Sequence, residues 1–93
     1  MLKILRSTRN EQAIFTLVGR VAGENLAELK RLIGLEPRDH NLVLDLKDVT
    51  LVDQSAIRFL TQCDTEGLML ENCPAYIRDW IAAEKQRNRR REP

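Results

Sequence analysis

The stretch that most constrains the fold of this chain is residues 41–60, NLVLDLKDVTLVDQSAIRFL. It begins with an apolar run, residues 42–46, in which Asp45 is the one charged member. A run that is apolar on both sides of a period-two pattern is typical of a central strand covered on both faces. The stretch therefore predicts a buried strand, and the polar residues 47–50 after it predict a loop.

The second half of the same stretch predicts a helix. Apolar residues recur at helical spacing after Asp53, over residues 54–65. Asp is among the residues preferred at a helix N-cap, where its carboxylate accepts a hydrogen bond from a first-turn N–H. We therefore expect Asp53 to cap this helix and Ser55 to lie exposed in its first turn.

The rest of the chain supplies three more strands and two more helices. A polar turn between two short β-forming runs predicts an antiparallel hairpin. Asn25 and Glu28 have the spacing of a capping box before an apolar face that ends near Gly34. We predict an α/β fold with a small mixed sheet of about four strands and helices on one face, in the order β-β-α-β-α-β-α. The predicted strands are residues 2–5, 13–18, 42–46 and 68–70, and the predicted helices are residues 25–34, 54–65 and a third beginning at 72–74.

Length and charge predict one domain, residues 1–84, followed by a basic tail, residues 85–93. The 93 residues suffice for a single core. The net charge of +1 divides into +4 in the tail and −3 in the body. No apolar residue follows Ala83, so we expect the tail to be a fraying helix end or disordered. Two cysteines without a CxxC pattern, and no membrane or signal segment, favour a cytoplasmic protein with free thiols.

The residues that enzymes commonly use are scarce, so we expect neither catalysis nor a cofactor. The single histidine, His40, lies in a predicted loop, and no nucleophile or phosphate-loop motif is present. Cys63 falls on the apolar stripe of a helix, where thiols are normally inert. Asp45, Asp48 and Asp53 suggest a Mg²⁺ site as a minor alternative, but the first strand lacks the acidic pair such a site needs.

The element order and one motif together resemble the STAS domain, a family named for sulphate transporters and anti-sigma factor antagonists. In that family a strand with an LDL-type run leads through a short loop to an apolar-Asp-x-Ser sequence that opens a helix. The resemblance covers residues 2–83. The matching residues are Leu42-Val43-Leu44-Asp45-Leu46, Val49, Leu51-Val52-Asp53-Gln54-Ser55, Ile57 and Leu60.

The resemblance implies a non-enzymatic, protein-binding module of signalling and transcription regulation. In regulatory members the serine that matches Ser55 is phosphorylated by a partner that is both a kinase and an anti-sigma factor, and the unphosphorylated form binds that partner. Carried over, Ser55 is the phospho-acceptor and Asp53 a cap and partner contact. The neighbouring positions Gln54, Ala56 and Arg58 are the further expected partner contacts.

Two other readings stay open. Family switch proteins typically have Gly after the serine and a Gly-like residue two positions later, and Ala56 and Arg58 replace them here. These replacements favour a constitutive scaffold or accessory subunit, for example of a lipid- or solute-transport ATPase. A homodimer through the uncovered sheet face is a further possibility. Specific nucleic-acid binding by the tail is not expected, because no aromatic residue is interleaved with its arginines.

Overall fold

A computed structural model describes residues 2–37 and 41–91, the last four of these by their backbone only. Seven elements follow one another in the predicted order β-β-α-β-α-β-α. The strands are β1 (Leu2–Arg9), β2 (Gln12–Val21), β3 (Leu42–Val52) and β4 (Met69–Glu71), and the helices are α1 (Gly23–Gly34), α2 (Gln54–Thr65) and α3 (Ala75–Arg91).

The four strands form one mixed sheet in the order β1-β2-β3-β4. β1 and β2 make the predicted antiparallel hairpin, whose two-residue turn, Asn10 and Glu11, has positive φ at both positions. Such turns match the right-handed twist of the strands they join. β3 runs parallel to β2 and β4 parallel to β3. The predicted α/β class with a small mixed sheet is confirmed.

All three helices contribute to one core on one face of the sheet, as predicted. Alternate residues of the central strands, such as Phe15, Leu17 and Leu44, point into this core and are almost fully buried. The helices contribute apolar stripes that pack on the strands. These helix residues are Leu26 and Leu29 of α1, Ala56, Ile57, Leu60 and Cys63 of α2, and Ile77 and Ile81 of α3.

The opposite face of the sheet carries no helix of the described chain, yet its centre is not open. Ile14 of β2 and Val43 of β3 are 8% and 0% exposed. Arg9, on one edge strand, forms an ion pair with Glu71 on the other at 2.7 Å. Register places both side chains on this face, so their pair spans the middle strands there. The apolar surface left for a homodimer is therefore smaller than the sequence suggested.

Several element boundaries differ from those predicted, and β1 and β2 both extend further than expected. β3 continues through residues 47–50, which were predicted as a loop, because this segment pairs with β2 past two register irregularities. α1 begins at Gly23, two residues earlier than expected. α3 continues to Arg91, so the backbone of residues 85–91 is helical, which is one of the two alternatives predicted for the tail. In the first extra turn Lys85 forms an ion pair with Asp64 of α2, and Arg87 pairs with Glu84 within α3.

No helix in the described ranges, 2–37 and 41–91, is both long enough and apolar enough to cross a membrane.

Candidate functional site

The Asp53 carboxylate joins the N-terminal ends of two helices. It lies between β3 and α2 as the N-cap of α2, and its Oδ1 accepts the N–H of Ala56 at 2.8 Å. Its Oδ2 accepts the N–H of Gly23, the first residue of α1, at 3.0 Å. The backbone N–H of Asp53 in turn donates to the carbonyl of Val21 at 3.3 Å. The predicted cap of α2 is therefore present, and it also serves α1.

These contacts favour the charged form of Asp53. The hydrogen bonds from the Gly23 and Ala56 N–H groups lower the pKa of the Asp53 carboxyl, and the charge of Arg20 lowers it further. Partial desolvation opposes them without reversing the direction. A carboxylate is also favoured beside helix N-termini, where the macrodipole is positive. Asp53 is accordingly ionised at neutral pH and fixed in position by both helices.

The capping box predicted for α1 does not form. The N-cap of α1 is Ala22, which has no side chain to cap it, and Asn25 lies inside the helix. The Asn25 amide donates to the carbonyl of Arg20 at 2.9 Å, and Glu28 forms an exposed ion pair with Arg31. The prediction failed because the spacing of Asn25 and Glu28 matches a capping box, while the acceptor that α1 uses is 30 residues away along the chain.

Ser55 is exposed in the first turn of α2, as predicted, one residue after the first helical position. It packs against the start of α1: a Cβ built on Gly23 would lie 3.4 Å from both Cβ and Oγ of Ser55. Gly23 therefore lies beside Ser55, with space between them for a methyl group in van der Waals contact. Gly23 was not predicted as part of the site, although its place between a strand and a helix was visible in the sequence.

A groove with a volume of about 540 Å³ runs between α1 and α2 and includes Ser55 at one end. Its floor is largely apolar, and Lys30 lies at its edge with Nζ 5.7 Å from the centre of the Phe59 ring. This distance is within the range of a cation–π contact. The groove is lined by Leu26, Lys30, Ile33, Gly34, Ser55, Arg58, Phe59, Gln62, Cys63, Glu66 and Leu68.

A buried carboxylate connects the first turns of α2 with α3. Glu84 of α3 is 8% exposed at its side chain and accepts hydrogen bonds from Gln54 and Arg87, each at 3.3 Å. The guanidinium of Arg58 approaches the other carboxylate oxygen, with Nε at 3.8 Å from Oε1. Sequence reasoning missed this cluster. The available signal was that Glu84 continues the buried stripe of Ile77 and Ile81 at helical spacing.

The four predicted partner contacts lie in different environments. Asp53 and Gln54 are partly exposed, and Arg58 has 65% of its side chain exposed. Ala56 is completely buried, with its methyl group in the core and its N–H bound to Asp53. The Ala56 side chain thus adds nothing to the exposed surface, and it does not obstruct the approach of another protein to Ser55. Partner contact by these residues stays a prediction.

The three carboxylates considered for Mg²⁺ lie in separate environments. Asp45 Oδ1 accepts the N–H of Lys47 at 3.0 Å and the amide of Asn72 at 3.1 Å, while Asp53 caps the two helices. Asp48 is exposed on β3. Within residues 2–37 and 41–91, no three His, Cys, Asp or Glu side chains come together as a metal site. His40 lies outside the described residues.

Burial raises the pKa of the Cys63 thiol to about 12, with a smaller contribution in the same direction from the charge of Glu66. The thiol is therefore protonated at neutral pH and is a poor nucleophile. Cys63 is 5% exposed and contributes to the floor of the groove as an apolar side chain. Burial also raises the pKa of Cys73, and both cysteines are free.

Comparisons with known proteins give a fold and no family. No family model matches the chain, and no curated protein matches it significantly. A crystal structure described as Mglu superposes with a TM-score of 0.56 at 21% identity, over 76% of this chain and 19% of that one. An uncharacterized protein of the DUF3478 family with a SpoIIAA-like fold, from Shewanella loihica PV-4, gives a TM-score of 0.49 at 14% identity, over 74% and 61% of the two chains. The chain thus spans about a fifth of Mglu, with which it shares a fold.

Proposed function

We propose that this protein is a non-enzymatic, cytoplasmic regulatory module that binds a kinase-type anti-sigma partner through the surface around Ser55. Phosphorylation of Ser55 controls that binding. The observation that carries the proposal is the position of Ser55, an exposed hydroxyl in the first turn of α2 at one end of the α1–α2 groove. The observed element order also agrees with the STAS-like arrangement that the sequence resembles.

The surroundings of Ser55 suit a modification that another protein reads. A phosphate in the first turn of a helix is locally tolerated, because N–H groups without intrahelical partners and the positive end of the dipole point toward it. Asp53 holds α1 and α2 against each other at this point, so the acceptor hydroxyl is presented on a fixed backbone. A fixed backbone lowers the entropy that a partner must remove on binding.

The groove supports the binding half of the proposal. Its apolar floor offers burial to a partner side chain or helix, and Lys30 and Arg58 give its border positive charge. Aromatic and aliphatic side chains surrounded by polar ones are typical of the centre of a protein interface. Ser55 and the groove are adjacent, so one partner surface contacts both.

The switch requires a complete phosphoryl transfer. The partner kinase moves the γ-phosphoryl group of ATP to Ser55: the Oγ–P bond forms, the bond from the γ-phosphorus to ADP breaks, and a base of the kinase takes the hydroxyl proton. A phosphatase reverses the state by hydrolysis. The phosphate adds a charge of about −1.5 to −2 at neutral pH. The phosphate lies at the end of the groove whose border carries Lys30 and Arg58. A partner surface that fits the uncharged Ser55 hydroxyl therefore binds the phosphorylated protein more weakly.

A kinase assay tests the proposal. The recombinant chain is incubated with ATP and the protein fraction of its native cells, and phosphosites are mapped by mass spectrometry. We expect phosphate on Ser55, its loss in Ser55→Ala, and its retention in the matched variant Ser7→Ala, since Ser7 is an equally exposed serine on β1. Modification of other residues with Ser55 untouched would sink the phospho-switch.

A second function, the constitutive scaffold, is favoured by one specific observation. Arg58, where switch proteins of the resembled family have a Gly-like residue, contacts Glu84 of α3 and occupies the surface one turn from Ser55. A scaffold would bind its partner equally well in the Ser55→Ala and Ser55→Glu variants. A switch module would bind with different affinity in the two.

A further inference from the structure

Arg58 lies between two anionic positions, one of which exists only when Ser55 is modified. Ser55 and Arg58 are three residues apart on α2, and both line the groove. Residues at this spacing on a helix are neighbours, with Cβ atoms about 5–6 Å apart. On the other side, the Arg58 guanidinium reaches Glu84 of α3. Within the described residues Arg58 makes this one ion pair and its side chain donates no hydrogen bond.

The contact with Glu84 is one that Arg58 is able to leave. At 3.8 Å from Nε to Oε1 it is longer than a hydrogen bond, and 65% of the Arg58 side chain is exposed. Glu84 keeps Gln54 and Arg87 as partners at 3.3 Å when Arg58 departs. A buried carboxylate without a partner is costly, but this one stays paired. Moving Arg58 therefore has a small cost on the α3 side.

A phosphate on Ser55 offers Arg58 a better partner than Glu84 does. Guanidinium and phosphate groups form bidentate, charge-assisted hydrogen bonds, roughly twice as strong as neutral ones. The phosphate also carries more charge than a carboxylate. Asp53 opposes the added charge, but its two oxygens accept hydrogen bonds from Gly23 and Ala56, and the first turns of two helices converge on it.

We propose that Arg58 is the internal receptor for phosphate on Ser55, and that phosphorylation transfers its guanidinium from Glu84 on α3 to the phosphate on α2. Phosphorylation of Ser55 then has two local effects. It neutralises a positive side chain at the border of the groove, and it removes one of the two contacts, from Gln54 and Arg58, that join α2 to α3 at Glu84. The inference rests on the proposed function, since it assigns a reader to the Ser55 phosphate.

The test installs phosphoserine at position 55 during translation, so that no kinase is needed. The Nε–Hε signals of Arg58 and Arg87 are compared by NMR in the phosphorylated and unmodified full-length chains. We expect the Arg58 signal to shift downfield and to exchange more slowly with water after phosphorylation, while the Arg87 signal stays in place. An unchanged Arg58 signal overturns the inference.

The pKa of the phosphate gives a second readout. Phosphorus NMR follows its second ionisation in the chain carrying phosphoserine 55 and in the same chain with Arg58→Gln, Arg58→Lys or Arg87→Gln. We expect Arg58→Gln to raise this pKa by about 0.5 units or more and Arg58→Lys to raise it less, because an adjacent cation favours the dianion. Arg87→Gln is the matched control, since Arg87 is as exposed as Arg58 and pairs with the same carboxylate. Equal effects of Arg58→Gln and Arg87→Gln count against a specific receptor.

The outcome separates the two proposals. If native kinases never modify Ser55, yet Arg58 responds to installed phosphoserine, the phospho-switch fails and the Arg58 assignment stands. If Ser55 is phosphorylated in the kinase assay and Arg58 does not respond, only the inference about Arg58 fails.

Discussion

The N-termini of α1 and α2 lie side by side but are stabilised differently. α2 begins after Asp53, whose side chain caps it directly. α1 begins after Ala22, which has no capping side chain, and its first N–H binds the same Asp53 carboxylate. One helix carries its own cap and the other depends on a residue 30 positions away. The difference shows that Asp53 couples two helices, so the position of Ser55 depends on both.

This coupling makes Asp53 more than a local cap. A cap that serves one helix affects the fraying of that helix alone, whereas loss of Asp53 leaves the first N–H of α1 and the third N–H of α2 without their acceptor.

Replacing Asp53 with alanine is expected to lower the free energy of unfolding the most. Loss of one N-cap typically lowers the free energy of unfolding by ~1 kcal/mol, and loss of the second N–H acceptor adds a similar amount, so we expect about 2 kcal/mol in total. Urea denaturation followed by circular dichroism measures it. The matched control is Asp48→Ala, an exposed aspartate on β3 for which we expect little change. A loss no larger than that of Asp48→Ala would show that the carboxylate does not join the helices.

The pH dependence of stability isolates the charge of Asp53. Because the folded chain holds the Asp53 pKa below its ordinary value, the carboxylate stabilises the fold above the unfolded pKa of about 3.9, and this stabilisation is lost as pH falls through the folded pKa. We compare unfolding of the native chain and Asp53→Asn between pH 7 and pH 2. Asparagine is also a good N-cap. The stability difference between the two proteins should therefore shrink below about pH 4, and a difference independent of pH would contradict the ionised cap.

Gly23→Ala tests how closely α1 approaches Ser55. The new methyl group would contact Ser55 at an ordinary van der Waals distance, 3.4 Å. Alanine in a helix stabilises by about 0.4–1 kcal/mol relative to glycine where the backbone permits it. We expect a small gain in stability and a slower phosphorylation of Ser55, because the methyl group narrows access to the hydroxyl.

Gly34→Ala is the control for that experiment. Gly34 is at the other end of α1, and a Cβ there would meet nothing within 4 Å. It should give a similar gain in stability, and because Gly34 lines the groove away from Ser55, the phosphorylation rate should fall less than in Gly23→Ala. If both variants are phosphorylated at the native rate, the contact between Gly23 and Ser55 has no bearing on modification.

The smallest effects on stability are expected at Asn25 and Glu28, which have the spacing of a capping box but do not form one. Asn25→Ala removes one hydrogen bond to the Arg20 carbonyl and should shift the denaturation midpoint slightly. Glu28→Ala removes an exposed ion pair with Arg31 and should give no measurable shift. A cooperative capping box would instead make the two losses large and similar, and a double variant measured beside the singles distinguishes these results.

The sequence predicted correctly those parts of the fold that are set by residues close together in the chain, and it failed where the determining residues are far apart. Local signals sufficed for α2, because its cap, Asp53, and its apolar stripe are contiguous, and the observed helix has the predicted bounds. The loop predicted at residues 47–50 was wrong, since polar side chains there belong to a strand whose pairing is set by β2. Polarity within a segment does not reveal a neighbour that supplies its backbone hydrogen bonds.

The same distinction between local and long-range determinants applies to the functional site. The exposure of Ser55 and the capping role of Asp53 followed from their spacing alone. The contacts of Gly23 with Ser55 and of Glu84 with Gln54 and Arg58 join residues that are about 30 positions apart. These contacts depend on how three helices pack on one sheet, so the helical spacing that places Glu84 on the buried stripe does not reveal its partners. The complete burial of Ala56 could be predicted, because its place on the inward stripe of α2 was already visible in the sequence.

The affinity of the partner kinase for the two states of Ser55 tests the central claim most directly. The kinase, purified from the cell fraction that phosphorylates Ser55, is titrated against the unmodified full-length chain and against the chain with phosphoserine at position 55. The account predicts that phosphorylation weakens binding at least about tenfold, which corresponds to about 1.4 kcal/mol. Equal affinity for the two forms would contradict control by Ser55 and leave the constitutive scaffold as the better description of this protein.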